Sequence, residues 1–228
     1  MKLENQSDFY LLYKPHSWTS QDLCTVFKKK YKFKKVGHSG TLDPNAEGLM
    51  LIATNKYTKL FDYIDNTHKT YVFEALFGFE SASYDTDSEL VEIESINLES
   101  KLDELNKGIS DLTGNIKQIP PIYSAVKVKG KRLYKYARQE KEVKLPIRDV
   151  MVNNFKLISY EENKAKFIAT VSKGTYIRSL IVDLAKSIGT KAVVSSINRI
   201  EIGSLNQKNA NVIKNIEQPE RIDTPEPL

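Results

Sequence analysis

Two short stretches hold the residues best placed to do chemistry. The first is Gly37-His38-Ser39-Gly40-Thr41-Leu42-Asp43-Pro44-Asn45-Ala46-Glu47-Gly48, in which a carboxylate stands directly before a proline. Pro44 disfavours the α region for Asp43, so the carboxylate projects from a rigid turn and not from a helix. Gly37, Gly40 and Gly48 allow other backbone, or a ligand, to approach closely. A fixed carboxylate beside open backbone is a candidate catalytic group, but the same pattern also makes an ordinary Asp-Pro turn ahead of a strand. The second stretch is Ser172-Lys173-Gly174-Thr175-Tyr176-Ile177-Arg178. It places Arg178 in the first turn of a helix, where the macrodipole disfavours a cation. An anion meeting the guanidinium would account for it. Asp43 is the candidate, and pairing would lower its pKa and keep it ionised. The competing reading is an Arg178 that reaches solvent or a surface acid.

Groups that could meet phosphates are clustered as well. Lys28 to Lys35 reads KKKYKFKK, six lysines in eight residues with Tyr31 and Phe33 between them. From Lys127 to Arg148 nine Lys and Arg stand against only Glu140 and Glu142, with Tyr134 and Tyr136 among them. Such cations can replace phosphate counterions, and interleaved aromatics can stack on unpaired bases. Both tracts also fit solvated faces, and the first fits a targeting-type lysine cluster. The segment from Asn215 to Leu228 carries four acids, one Arg and three prolines, and is expected to be poorly ordered or draped on the surface. The formal net charge of +5 over 228 residues therefore averages two strongly basic patches with a slightly acidic remainder.

Composition narrows the class further. Hydrophobic residues at 40% and charged residues at 28% describe a globular chain that can bury a full core. Cys24 is the only cysteine, which excludes an internal disulfide framework and a cysteine-clustered zinc site. His16, His38 and His68 show no ligand spacing. Apolar runs such as Leu49–Ala53 are too short to span a bilayer, and Met1–Ser7 is polar where a signal peptide needs an apolar core. A cytoplasmic location is expected. No P-loop, dinucleotide fingerprint or internal repeat is present.

The elements that must position these residues are legible from periodicity. Asp8–Lys14 reads as a strand ending at Pro15, and Ser20 can cap a helix with Leu23, Val26, Phe27 and Tyr31 on its apolar face. Gly48–Thr54 reads as a buried strand. Thr70–Phe79 alternates, with Tyr71, Phe73, Ala75, Phe77 and Phe79 on one face. Leu98, Leu102, Leu105, Ile109 and Leu112 form a helical stripe ending near Gly114. Lys117–Pro146 has little apolar periodicity and reads as a long mobile excursion. Val150–Tyr160 and Lys164–Ser172 suggest an antiparallel pair. Gly174 then opens a helix with Ile177, Leu180, Ile181, Leu184 and Ile188 inward and Gly189 as its stop, and Val193, Val194 and Ile197 to Ile202 suggest a last strand or two. Strands and helices mix without βαβ alternation, so the class is α+β.

GHSGTLDPNAEGLMLIAT resembles the catalytic motif of the bacterial tRNA pseudouridine synthase B (TruB) family. The likeness continues in order through LLYKP, HKTYVFEALFG, SYDTDSE, IPPIYSAVKVKGKRLYKYAR, SKGTYIRSL and SINRIEIGSL, covering residues 8–205. It implies a pseudouridine synthase fold: a mixed, mostly antiparallel sheet flanked by helices, with a basic RNA-binding cleft and a thumb insertion. It also implies an isomerase that converts uridine-55 in the T-loop of tRNA to pseudouridine, breaking a C–N glycosidic bond and making a C–C bond without any cofactor. By motif, Asp43 is the essential carboxylate, acting either as a nucleophile or on a sugar proton. Arg178 is its partner, Tyr71 packs on the target base, Tyr176 and Ile197 line the uracil pocket, and His38 contacts the nucleotide during flipping. Asp85 and Lys14 are expected to support the site. A uridine stacked in its loop must be unstacked before it can react, and an aromatic face can offset that cost.

The resemblance also organises the chain: a catalytic domain over 1–214, with 117–146 as a mobile basic thumb, and an acidic tail at 215–228. Lys127, Lys129, Lys131 and Arg132 in the thumb are expected on the RNA backbone, ordering when phosphates are present. Two positions depart from the bacterial pattern. Ser39 stands where many members have threonine, a form shared with the dyskerin branch that acts with guide RNA, and Ile197 stands where leucine is commoner. After Leu205 only 23 residues follow, too few for the C-terminal PUA domain of many members. Recognition is therefore expected to concentrate on the T-stem and loop, by a monomer with no obligatory protein partner and no membrane. Two rivals are a synthase acting on another RNA and a tRNA-binding folding factor with a silent site. Asp43, Tyr71 and Arg178 argue against the second, since a pure binder has no need of a charged pair under a stacked ring.

Overall fold

The computed structural model describes residues 5–63, 68–137, 139, 142–206 and 208. The 215–228 tail and Arg138, Glu140 and Lys141 of the second basic tract lie outside the described residues. The chain divides into two compact units, Met1–Tyr71 with Asn198–Leu228, and Val72–Ile197.

The first unit begins with strand β1 (Phe9–Lys14), helix α1 (Ser20–Tyr31), β2 (Val36–Ser39) and β3 (Ala46–Thr54). Both β1 and β2 pair antiparallel with β3, Lys14 standing opposite Gly48 and Ser39 opposite Leu51. Phe9, Leu11, Leu49, Leu51, Ala53 and Ile202 bury one face of these strands, with Tyr57, Leu60 and Phe61 packed over it. Helix α1 starts at a capping box, in which Thr19 accepts from the Asp22 amide and the Asp22 carboxylate accepts from Thr19 N–H. Thr19, and not Ser20, is thus the N-cap: it is followed three residues later by an acid, which Ser20 lacks. Phe33 also departs from expectation. It is 2% exposed, with ring centroids 5.4 Å from Phe27 and 5.8 Å from Tyr10, so it anchors the lysine-rich turn and offers no face to a base.

Two strands run through both units, β4 (His68–Phe77) early in the chain and a later one described below. Along β4 Tyr71, Phe73, Ala75 and Phe77 are buried at alternate positions, as their period predicts. Phe79 leaves this face because Gly78 turns the chain with φ +83°, and any Cβ there would lie 2.2 Å from the Glu94 carbonyl oxygen.

In the second unit follow β5 (Phe79–Glu80), β6 (Val91–Glu92), α2 (Leu102–Asp111) and β7 (Gly114–Gln118). The segment read as a long mobile excursion carries a hairpin of β8 (Lys127–Val128) and β9 (Lys131–Arg132), then the one-turn α3 (Leu133–Ala137). Two-residue strands are too short to show a period, and Lys129-Gly130 supplies the two left-handed positions of a tight turn. Then come β10 (Arg148–Glu161), β11 (Lys164–Ser172), α4 (Ile177–Ser187), the shared strand β12 (Ala192–Ile202) and β13 (Leu205–Asn206). β10 pairs antiparallel with β11 and β7. Helix α4 starts at Ile177 with Tyr176 as N-cap, three residues after Gly174, so Arg178 does fall in its first turn. Among the described residues no helix is long and apolar enough to cross a membrane.

Phe167 centres the core of this unit, its ring 5.6 Å from Phe73, 5.5 Å from Phe155 and 6.4 Å from Phe77. Phe167→Ala removes a fully buried ring and should cost about 3–5 kcal/mol. Denaturant unfolding checks this, and a loss under about 1 kcal/mol would mean that the three neighbouring rings collapse into the space.

Candidate active site

The Asp43 turn is built entirely from the first unit. Asp43 C=O accepts from Ala46 N–H at 3.0 Å, closing a turn with Asp at its first position and Pro at its second, as a type I turn prefers. Pro44 C=O accepts twice, from Ser17 N–H at 2.9 Å and from Lys14 Nζ at 3.1 Å. Lys14 is fully buried, and its other two protons go to the carbonyls of Trp18 at 2.6 Å and Pro15 at 2.9 Å. All three ammonium donors are thus taken up by backbone that frames the turn. Ser20, released from capping by Thr19, clasps Leu42 in both directions: its Oγ accepts from Leu42 N–H at 2.9 Å and donates to Leu42 C=O at 3.1 Å.

Electrostatics at this turn are set by burial. Desolvation pulls the Lys14 ammonium down to about 8, with Arg199 pushing the same way and the charges of Asp43, Glu47 and Asp22 opposing. Tyr13 hydrogen-bonds Glu47 and is pushed up to about 12, chiefly by burial. His38 lies below its ordinary value because it is desolvated and faces Arg199, so it is neutral near pH 7, and its Nδ1 is buried with no hydrogen-bond partner among the described residues. Tyr71 is 8% exposed, with most of its ring already packed.

In the second unit Arg178 is buried in the first turn of α4. Its Nη1 lies 3.2 Å from Asp85 Oδ2 and donates to Ser83 C=O at 2.7 Å, while Nη2 donates to Tyr123 C=O at 3.0 Å. Asp85 in turn accepts from Ser83 Oγ at 2.5 Å and from Asp87 N–H at 3.0 Å. An acid therefore does meet the cation at the helix N-terminus, and it comes from the SYDTDSE segment. Tyr176 is fixed by an amide exchange with buried Gln118: Tyr176 N–H donates to Oε1 at 2.8 Å, and Nε2 donates to Tyr176 C=O at 3.1 Å. Ile197 is 9% exposed on β12. Lys127, Lys129 and Arg132 are exposed on the β8–β9 hairpin, whereas Lys131 bonds Gln139 and lies 4.8 Å from the Tyr136 ring centroid.

Sequence reasoning missed Ser20, Gln118 and Arg199 as parts of this framework. Arg199 is 0% exposed and donates from Nε to Leu49 C=O at 2.7 Å and from Nη2 to Gly40 C=O at 3.3 Å. Its signal was present in the sequence: a cation two residues after Ile197 sits at a core position of a strand. Gly48 is required beside it, because a Cβ there would lie 2.3 Å from the Arg199 carbonyl oxygen.

With this geometry in place, likeness to known proteins adds a family. The profile of TruB family pseudouridylate synthase (N terminal domain) matches residues 28–177. A tRNA pseudouridine synthase B of Mesoplasma florum is 40% identical over 215 residues, covering 94% of this chain and 75% of that protein. One of Mycoplasmopsis pulmonis is 38% identical over 209 residues, covering 92% and 73%. Among solved structures, a Cbf5-Nop10-Gar1 complex contains a chain of similar fold, with TM-score 0.69 and 25% identity over 91% of this chain. This chain spans about half, 53%, of the length of that one.

The buried Lys14 yields a test of its own. With a folded pKa of about 8 against 10.5 for the free side chain, the unfolded chain binds this proton more tightly. Lys14's contribution to stability is then complete above about 10.5, declines as pH falls towards 8, and is lost below it. Nitrogen NMR of the lysine side chains should show the Lys14 ammonium titrating near 8. A Lys14 midpoint above 10 would refute this burial-driven shift.

Proposed function

Because the chain belongs to the TruB family of pseudouridine synthases, we propose that it is the isomerase that converts uridine-55 in the T-loop of tRNA to pseudouridine, using Asp43 as the essential carboxylate. The observation that carries this reading is the Asp43 turn itself. A carboxylate on a Pro-fixed turn, with its backbone tied to buried Lys14 and Ser20, is pre-positioned for a reacting group. A solvated surface turn would need neither tie. The reaction breaks the bond from the sugar C1′ to the base nitrogen and joins the same carbon to a ring carbon; that ring carbon loses a proton and the freed nitrogen gains one, so the product is an isomer of the substrate. It consumes no oxidant, nucleotide or metal.

The remaining roles follow residue by residue from the family motifs. Arg178 is proposed as the ion-pair partner of Asp43, held in orientation by Asp85 and two carbonyls. Tyr71 is proposed to pack on the target base, and Tyr176 and Ile197 to line its pocket. His38, neutral and with Nδ1 uncommitted, suits contact with a nucleotide leaving the stack. Lys127, Lys129, Lys131 and Arg132 are proposed to meet backbone phosphates of the T-arm. The enzyme would work in the cytoplasm as a monomer with no protein partner and no cofactor.

Purified protein incubated with an unmodified T-arm stem-loop, and separately with a ribosomal RNA fragment, should yield pseudouridine in the first only. Product confined to the ribosomal fragment would instead favour a synthase for another RNA, and product from neither would leave the folding-factor reading. Asp43→Asn should lower turnover by roughly 10²-fold or more while leaving T-arm binding nearly unchanged. Near wild-type turnover would remove Asp43 from this role. Replacing Lys129, Lys131 and Arg132 together by Ala should weaken T-arm binding and flatten the slope of log K against log salt by about one for each phosphate no longer neutralised. An unchanged slope would exclude the hairpin as a phosphate clamp.

A further inference from the structure

Arg199 is a completely buried guanidinium that meets Leu49 C=O, Gly40 C=O and the Met50 sulfur, the last at 2.9 Å. No carboxylate pairs with it among the described residues. Removing an arginine from water without an opposing charge is unfavourable, so filling space is a poor reason to keep one in a strand where Leu or Met would pack. The two carbonyls it binds are nine positions apart, and they bracket the segment 40–49 that carries Asp43. Gly40 starts the loop as β2 ends, and Leu49 lies in β3 just after the turn closes.

We infer that Arg199 is a positioning residue for the Asp43 turn: its planar fork holds both ends of the 40–49 segment at a fixed separation and so sets the direction of the Asp43 carboxylate. This rests on the proposed role of Asp43. Lys14 and Ser20 fix the tip of the segment at Pro44 and Leu42, whereas Arg199 fixes its base. The fork explains the choice of residue. Two donors on one rigid plane reach two acceptors at once, which a lysine ammonium on a flexible stem does less well. Gly48 allows the arrangement, because only a residue without Cβ lets β3 lie against the Arg199 backbone.

Arg199→Lys keeps the charge and loses the fork, while Arg199→Gln keeps amide donors and loses the charge. Both are assayed on the T-arm stem-loop, with rates normalised to folded protein. Arg199→Lys is expected to lower kcat by roughly 10–100-fold and to leave KM within about threefold. Hydrogen exchange supplies the reading that a merely structural role would not give. The Leu42 and Ala46 amides, both bonded within the first unit, should exchange at least roughly tenfold faster in Arg199→Lys, while β10 and β11 amides keep their wild-type rates. Wild-type kcat in Arg199→Lys overturns the inference. So does faster exchange spread equally over β10 and β11, which would mark general destabilisation. Should Arg199→Lys not fold, the same two readings on Arg199→Gln decide by the same criteria. If wild-type protein makes no pseudouridine, the functional reading fails by itself, and the exchange data still show whether Arg199 orders the segment.

Discussion

Two cations taken out of water hold the Asp43 turn. An ammonium or guanidinium loses several kcal/mol of hydration on burial, and Lys14 and Arg199 are both fully buried in the first unit. The loss is offset only because each cation finds carbonyls: three for Lys14, and two plus a sulfur for Arg199. The dependence runs in both directions, because a buried carbonyl left unmet would cost about 1–3 kcal/mol. Removing either partner strands the other, so cations and turn form one cooperative element and not a set of separable bonds. The local balance of charge follows from this. Arg199 helps push Lys14 and His38 downward, while Asp43 and Glu47 draw Lys14 back up.

The second unit solves a related problem by the opposite means. Arg178 lies at the N-terminal end of α4, where the helix dipole repels it, so it requires an acid that the helix does not supply. Asp85 provides that charge and is itself held by Ser83 Oγ and the Asp87 amide. The pair is nearly free of solvent. Its attraction is therefore little screened by salt, and its geometry is set by the groups bonded to both partners and not by side-chain preference.

Much of this was legible in the residues, for reasons that can be named. Asp43 was visible because Pro44 restricts it locally, and Arg178 because its helix has clear apolar periodicity. β3, β4, β10 and β11 were readable from their apolar patterns. What escaped depends on competition or on distance. Ser20 looked like a cap until Thr19 with Asp22 proved the better box, and only then is its hydroxyl free for Leu42. Phe33 looked like a stacking ring because its lysine neighbours are polar, yet the left-handed Lys32 turns it into the Tyr10–Phe27 cluster. Arg199 bonds to a residue 150 positions away, and no local pattern reports such a partner. The β8–β9 hairpin is shorter than any period.

The burial of Phe33 also removes one of the two aromatic faces from the first basic tract. With that ring turned inward, the lysines at 28, 29, 30, 32, 34 and 35 form an exposed rim along the end of α1 and the turn after it, with Tyr31 as the half-buried aromatic beside Lys30. The cations of such a rim supply a sequence-independent attraction to phosphate. In the hairpin tract Tyr136 is likewise half-buried beside a lysine, Lys131, and it donates to Val128 C=O, stiffening the element that presents Lys127, Lys129 and Arg132. Phosphate contacts position a nucleic acid without reading it. If the chain acts on one uridine, the discrimination must then come from uncharged groups around the base, and the candidates are Tyr71, Tyr176 and Ile197. Tyr176, which lies outside any strand, has its amide and its carbonyl both held by Gln118. If Tyr176 lines the base, a wall fixed in this way rejects a base that fits poorly, because the wall has no room to adjust.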